Sequence, residues 1–199
     1  MKNRLILLIL IGFLAGGAAA LGLYFLQNTQ SGPKQISSGK ALIGGPFTLT
    51  EHTGRRVTEK DFKGGFTLVY FGYTFCPDVC PAELQVMSAA LEALGKNGEK
   101  VTPVFITIDP ERDTVEQMRS YVSNFHQRLV GLTGSLEEIR TVAKAYRIYY
   151  ARAKDDSTTD YVMDHSSIVY LMSPEGEYLT HFAYGTGVDK MAKGIAKFL

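Results

Sequence analysis

Phe66–Leu84 reads FTLVYFGYTFCPDVCPAEL, and this stretch decides how the rest of the chain is understood. Phe66–Phe71 is an apolar run of β-forming residues, closed by Gly72. A short turn follows, holding Cys76 and Cys80, the only two cysteines in the 199 residues, and then a helical pattern begins. Four-residue spacing at a helix start puts two side chains on one face, with Cβ atoms roughly 5–6 Å apart. That separation suits a disulfide or two thiolates holding one metal ion. The positive end of the helix also favours thiolate over thiol. Two buried structural cysteines are the plainer alternative. It fits poorly with a close pair framed by Pro77 and Pro81.

Outward from this stretch, strand and helix signals alternate. Upstream, Phe47–Thr50 and Val57-Thr58 flank Glu51-His52-Thr53-Gly54, a hairpin pattern. Downstream, Leu84, Met87, Leu91 and Leu94 recur at helical spacing, and Val101–Ile108 is a second buried-strand run ending at Asp109-Pro110. Thr114 with Gln117 predicts a capping box, followed by a helical stripe of Val115, Met118, Val122, Phe125 and Leu129. Ser135 with Glu138 predicts another, with Leu136, Ile139, Ala143 and Tyr146 as its apolar face. Ser167–Met172 and Glu177–Ala183 read as strands joined by the turn Ser173-Pro174-Glu175-Gly176, and Val188, Met191, Ile195 and Phe198 close the chain as a helix. This order predicts an α/β or α+β sandwich, a mixed β-sheet flanked by helices.

The N-terminus has its own logic. Residues 1–4 are basic through Lys2 and Arg4, and Leu5–Leu26 carries no charge at all. About 20 apolar residues cross a bilayer as a helix, so residues 5–26 are expected to be an N-terminal transmembrane anchor, with residues 1–4 cytoplasmic. A signal peptide cleaved near Ala18-Ala19-Ala20 is the alternative, but it would leave the apolar Leu21–Leu26 as the new terminus. Residues 27–40, rich in Gly, Ser, Gln and Asn, read as a flexible tether, and residues 41–199 as one exported domain. Outside Lys2 and Arg4 the basic and acidic residues nearly balance, which argues against a nucleic-acid partner.

A strand running into a cysteine-bearing turn and helix is a thioredoxin-like arrangement. A thioredoxin, however, carries C-x-x-C and a cis-proline facing it. Here the cysteines stand in C-x-x-x-C, and Asp164-His165-Ser166-Ser167 occupies the facing position, with no proline between Ala151 and Ser173. Taken together, Tyr70-Phe71-Gly72-Tyr73-Thr74 before Cys76–Pro81, Asp109-Pro110-Glu111-Arg112-Asp113-Thr114, and Asp164–Ser167 running into Ile168–Leu171 closely resemble the Sco/SenC family.

That resemblance implies a membrane-anchored copper chaperone serving the dinuclear copper (CuA) centre of cytochrome c oxidase. It implies Cys76, Cys80 and His165 as ligands of one copper ion per chain, Cu(I) or Cu(II). The implied partners are the copper-acceptor subunit of the oxidase and another periplasmic copper chaperone or thiol reductase. The implied location is the bacterial inner membrane, single-pass, with the soluble domain in the periplasm.

The donor chemistry agrees. Soft thiolates suit Cu(I), and imidazole suits either oxidation state. Structural zinc wants four closed ligands, and only three are expected here. In an oxidising compartment the same thiols can close into a disulfide. The chain is therefore expected to be no enzyme, beyond an accessory thiol–disulfide redox activity. The alternative function is a thiol–disulfide oxidoreductase that reduces the CuA cysteines, needing Cys76 and Cys80 but not His165. A peroxidase of the peroxiredoxin type is a third reading and ranks last, because Pro-x-x-x-Thr-x-x-Cys fails at both thiols.

The other candidates read as structural: His52, His126 and His181 as packing or surface residues, Met163 as a packing residue, Asp78 as a helix cap or a partner contact. Asp109 and Asp113 read as a strand end and a helix cap. Lys154–Asp160 reads as a solvated loop just ahead of His165, itself expected on a loop.

Overall fold

The strand Phe66–Gly72 (β3) is buried from Thr67 to Gly72 and lies near the centre of a seven-stranded sheet. A strand covered on both faces needs no polar alternation, which is why its sequence is an unbroken apolar run. A computed structural model of the chain describes residues 42–153 and 161–199. The expected cytoplasmic residues 1–4, the anchor 5–26, the tether 27–40 and the loop Lys154–Asp160 lie outside the described residues. Among the described residues, no helix is long and apolar enough to cross a membrane.

The other strands of the sheet are β1 (Thr48–Glu51), β2 (Arg56–Thr58), β4 (Val101–Thr107), β5 (Val130–Thr133), β8 (Ile168–Met172) and β9 (Tyr178–Ala183), in the order β2-β1-β5-β4-β3-β8-β9. β3, β4 and β5 run parallel, while β8 is antiparallel to β3. The expected mixed sheet is therefore present, with the predicted hairpins β1–β2 and β8–β9 at its two edges. β6 (Tyr150–Arg152) and β7 (Met163–His165) form a separate two-stranded ribbon.

Among the described residues the α-helices are α1 (Val79–Ala93), α2 (Val115–Val122), α3 (Leu136–Ala145) and α4 (Val188–Ala196). Alternate residues of a strand point to opposite faces. On one face Tyr70 stacks with Phe105, and Gly72 lies against Cys80 of α1. On the other face Phe71 meets Tyr146, just beyond α3. Helical segments thus cover both faces. Burying each of the side chains Leu68, Phe71, Leu84 and Phe105 contributes about 1.5–3 kcal/mol.

Three sequence expectations need correction. The stripe Val115–Leu129 is not one helix: α2 stops at Val122, and Leu129 leads into β5, which carries too few residues to show a strand pattern. Thr114 does cap α2 by accepting from Gln117 N, but the Gln117 side chain donates to Thr74 instead of closing the box. In α3 the predicted Ser135–Glu138 box is complete, yet Leu136 is exposed and Val142 takes its place in the core.

Candidate metal centre

Parallel strands end at the same edge, so the loops after β3 and β4 are neighbours. β8, running the other way, begins at that edge. Three segments therefore converge at the carboxyl ends of β3 and β4: the cysteine turn 73–78, the acidic loop 108–114, and residues 161–167. Crevices outside the carboxyl ends of parallel strands are where open α/β sheets place their sites.

Cys76, Cys80 and His165 meet here, with their donor atoms all within 4.8 Å of one another. Among the described residues, no other His, Cys, Asp or Glu joins this group. Both cysteines are free; Cys80 is buried and Cys76 half-buried. The Cys80 backbone N–H donates to Cys76 Sγ at 3.4 Å, the helix-start geometry that the spacing predicts. Cys80 Sγ lies 3.4 Å from His165 Nε2. His165 Nδ1 lies 3.2 Å from the Ser166 carbonyl oxygen, which can only accept. Nδ1 therefore carries the proton, and the Nε2 lone pair faces the thiols.

The two sulfurs share one proton. Hydrogen bonding from Cys80, and then from the backbone N–H groups of Cys80 and Asp78, holds the Cys76 thiol well below its ordinary range, although burial opposes this. The same contact with Cys76, burial and the Cys76 charge push Cys80 up. The metal-free pair is thus a Cys76 thiolate beside a Cys80 thiol, titrating as a unit.

The neighbours fix the donors closely. Gly72 leaves no room for a side chain, since a Cβ there would sit 2.7 Å from Cys80 Sγ and 2.9 Å from the Phe105 ring. Tyr73 presents its ring edge-on to His165 at 6.1 Å between centroids, and its hydroxyl accepts from Met163 N. Asp113 is fully buried and gathers Thr74 N at 3.0 Å, Thr74 Oγ1 at 2.6 Å and Thr107 Oγ1 at 2.5 Å, tying the cysteine turn to the end of β4. Burial pushes the Asp113 carboxyl up, while these donors pull the other way. Asp109 binds Arg112 and the Tyr161 hydroxyl. The two aspartates therefore brace the site, a larger role than the strand end and helix cap read from sequence.

His165 itself lies at the end of β7, not on a loop. Asp78 occupies the N-cap position of α1 but makes no side-chain cap bond. Met163 packs against the core. His52 and His126 accept from backbone N–H groups through Nδ1, and His181 pairs with Tyr178, as structural histidines do. Sequence reasoning gave Tyr73 and Arg112 only as members of motifs, read Asp113 as a helix cap, and passed over Tyr161. For the first three, the signal was position: each lies in the residues just beyond β3 or β4, two parallel neighbours. Between Cys76 and His165 a groove bounded by Pro77, Val162 and Tyr184 opens to solvent. A more enclosed cavity lies against Val69 and Tyr146 on the opposite sheet face, away from the thiols.

A family profile described as SCO1/SenC matches residues 35–199. The chain belongs to the SCO1/SenC family. It is 49% identical over 162 residues to the mitochondrial SCO1 homolog 1 of Arabidopsis thaliana, covering 81% of this chain and 48% of that protein. It is 44% identical over 192 residues to the human mitochondrial SCO1 homolog, covering 94% of this chain and 64% of the relative. The chain thus spans about half of the first SCO1 relative and less than two thirds of the second. The crystal structure of Arabidopsis ScoI with copper bound superposes with a TM-score of 0.74 at 48% identity, over 78% of this chain and 96% of that one. The SCO1/SenC match spans the strand, the cysteine turn, the acidic loop and the histidine segment alike.

Proposed function

We propose that this chain is a copper carrier. It holds one copper ion through Cys76, Cys80 and His165 and delivers it to, or matures, the CuA centre of cytochrome c oxidase. The observation that carries this reading is the convergence of two sulfurs and one imidazole Nε2 within 4.8 Å, beside an open groove. Two soft thiolates and a neutral imidazole suit Cu(I), and the imidazole also suits Cu(II). Structural zinc would want a fourth ligand. An open side suits a carrier, because an incoming ligand can bind before the old bonds break. The copper-bound Arabidopsis relative supports the same cargo. We place residues 5–26 as the anchor in a bacterial inner membrane, residues 1–4 in the cytoplasm, residues 27–40 as tether and residues 41–199 as the copper-binding domain in the periplasm.

A second reading, a thiol–disulfide reductant of the CuA cysteines, is favoured by one observation: Cys76 is the accessible, thiolate-prone member of the pair. The variant His165→Ala separates the two. A carrier loses the sulfur-to-copper absorption of its Cu(II) form and fails to mature the oxidase, while its thiols still cycle with a reductant. Wild-type oxidase assembly by His165→Ala, with either Cys→Ala change abolishing it, would leave the reductant as the function.

A further inference from the structure

Arg112 touches all three segments that meet at the metal centre. Within its own loop, Nε donates to Asp109 Oδ2 at 2.5 Å. Toward the ribbon that carries His165, Nη1 donates to the Tyr161 carbonyl at 2.9 Å, and the guanidinium lies 3.7 Å from the Tyr161 ring centroid. Toward the cysteine turn, it lies 4.9 Å from the Phe75 centroid and 5.6 Å from that of Tyr73. Its side chain is 19% exposed. Its remaining nitrogen, Nη2, is buried with no hydrogen-bond acceptor among the described residues. A charged nitrogen left so is costly unless the aromatic faces around it supply the attraction. The side chain is thus spent on holding rings and backbone together, not on an ion pair alone.

The ribbon needs such a tie. Among the described residues, β6 and β7 pair only with each other, and no ladder of sheet hydrogen bonds fixes them to β3. Resting on the reading of Cys76, Cys80 and His165 as copper ligands, we propose that Arg112 is a positioning residue for the centre. It is a flat clasp that holds the histidine ribbon against the cysteine turn and so sets where the His165 imidazole stands. Only a planar guanidinium can lie between aromatic faces while donating along two edges; an ammonium in its place keeps the charge and loses the geometry.

The test compares the full chain with Arg112→Met, Arg112→Lys and His165→Ala. In the reduced, metal-free protein, amide hydrogen exchange at Met163, whose N–H meets the Tyr73 hydroxyl, is expected to quicken about tenfold in both Arg112 variants. Loss of an outer-shell partner typically weakens metal binding 10–100-fold, so Cu(II) affinity should fall at least about tenfold. The sulfur-to-copper absorption should move toward that of His165→Ala. Cu(I) binding and the thiol–disulfide potential should change little, because the cysteine turn is held by Asp113.

Unchanged exchange and an unchanged Cu(II) spectrum in Arg112→Met overturn the clasp. So does full rescue by Arg112→Lys, which would reduce Arg112 to a charge partner of Asp109. If Arg112→Met does not fold, Tyr161→Leu removes the ring under the guanidinium and is read the same way. If His165→Ala binds Cu(II) like the wild type, the copper-ligand reading itself falls. That outcome is distinct from a failure of the clasp.

Discussion

Cys76 and Cys80 leave a strand bonded along both edges in a seven-stranded sheet, whereas His165 leaves a ribbon of two three-residue strands. The cysteine turn is fixed by what lies beneath it: Gly72 against Cys80 Sγ, and the buried Asp113 gathering Thr74 and Thr107. The histidine ribbon is fixed by what lies beside it, through Tyr73, Tyr161 and Arg112. One half of the centre is therefore set by backbone and core, the other by side-chain contacts between separate segments. Damage to the first should cost global stability. Damage to the second should cost geometry at His165 with little loss of fold.

Gly72→Ala is the harshest way to break the cysteine half. Its methyl would meet both a buried sulfur and the Phe105 ring, and overpacking of this kind costs about 3 kcal/mol at the upper end of its usual range. Denaturant unfolding of the reduced protein measures that loss, and Cys80 should be displaced along with it. Asp113→Asn keeps the shape but turns an NH2 group toward one of the three donors. Leaving a buried donor unmet should cost about 2 kcal/mol by the same assay.

The shared proton sharpens the comparison, because it belongs to the cysteines alone. In the reduced, metal-free protein the folded pair binds one proton, while the unfolded chain binds two until pH nears the ordinary thiol value of about 8.5. From pH 5 to 8 the unfolded state thus holds more protons, and stability rises with pH. Above about 8.5 the unfolded chain loses both, the folded one keeps that of Cys80, and stability falls. The low position of Cys76 gives the rise, and the high position of Cys80 gives the fall. The partial exposure of Cys76 screens the effect, so the rise should fall well short of the full linkage value for one proton over that range. Unfolding midpoints at pH 5, 7 and 8 should show it in the wild type and not in Cys76→Ser.

Arg152→Ala probes the histidine half most gently. Arg152 pairs with Glu111 and lies over the outer side of the Tyr161 ring, with its side chain 56% exposed. An exposed pair contributes less than about 1 kcal/mol, so the melting temperature should barely move. Amide exchange in β7 should still quicken. A larger loss of stability than that from Asp113→Asn would reverse the contrast between the two halves.

The same contrast decided what the sequence revealed. Phe66–Leu84 was legible because strand, turn, thiols and helix are contiguous, and each local preference agrees with the next. The pairing of Ser135 with Glu138, the β8–β9 turn and the closing helix were legible for the same reason. β6 and β7 were not, since three residues with mixed burial carry no period. β5 was hidden by Leu129, which continues the spacing of α2 beyond its true end. From the residues themselves His165 stood out only by facing the cysteines; the resemblance to Sco/SenC gave it a role. Arg112 and Tyr161 stayed silent, because a cation between rings from separate segments leaves no spacing rule behind.

The unequal access to the two sulfurs also imposes an order in time. In a thiol–disulfide reductant, an incoming thiol from the groove would reach Cys76 first, since Cys76 is half-buried and Cys80 fully buried. Attack there would join the visitor to Cys76 and release Cys80, the inner sulfur, as the leaving thiolate, which takes up a proton. On that reading the transient bond to a visitor would form at the outer sulfur, and the inner one would resolve it. The unequal burial of the two sulfurs would then order the two steps before any partner is chosen.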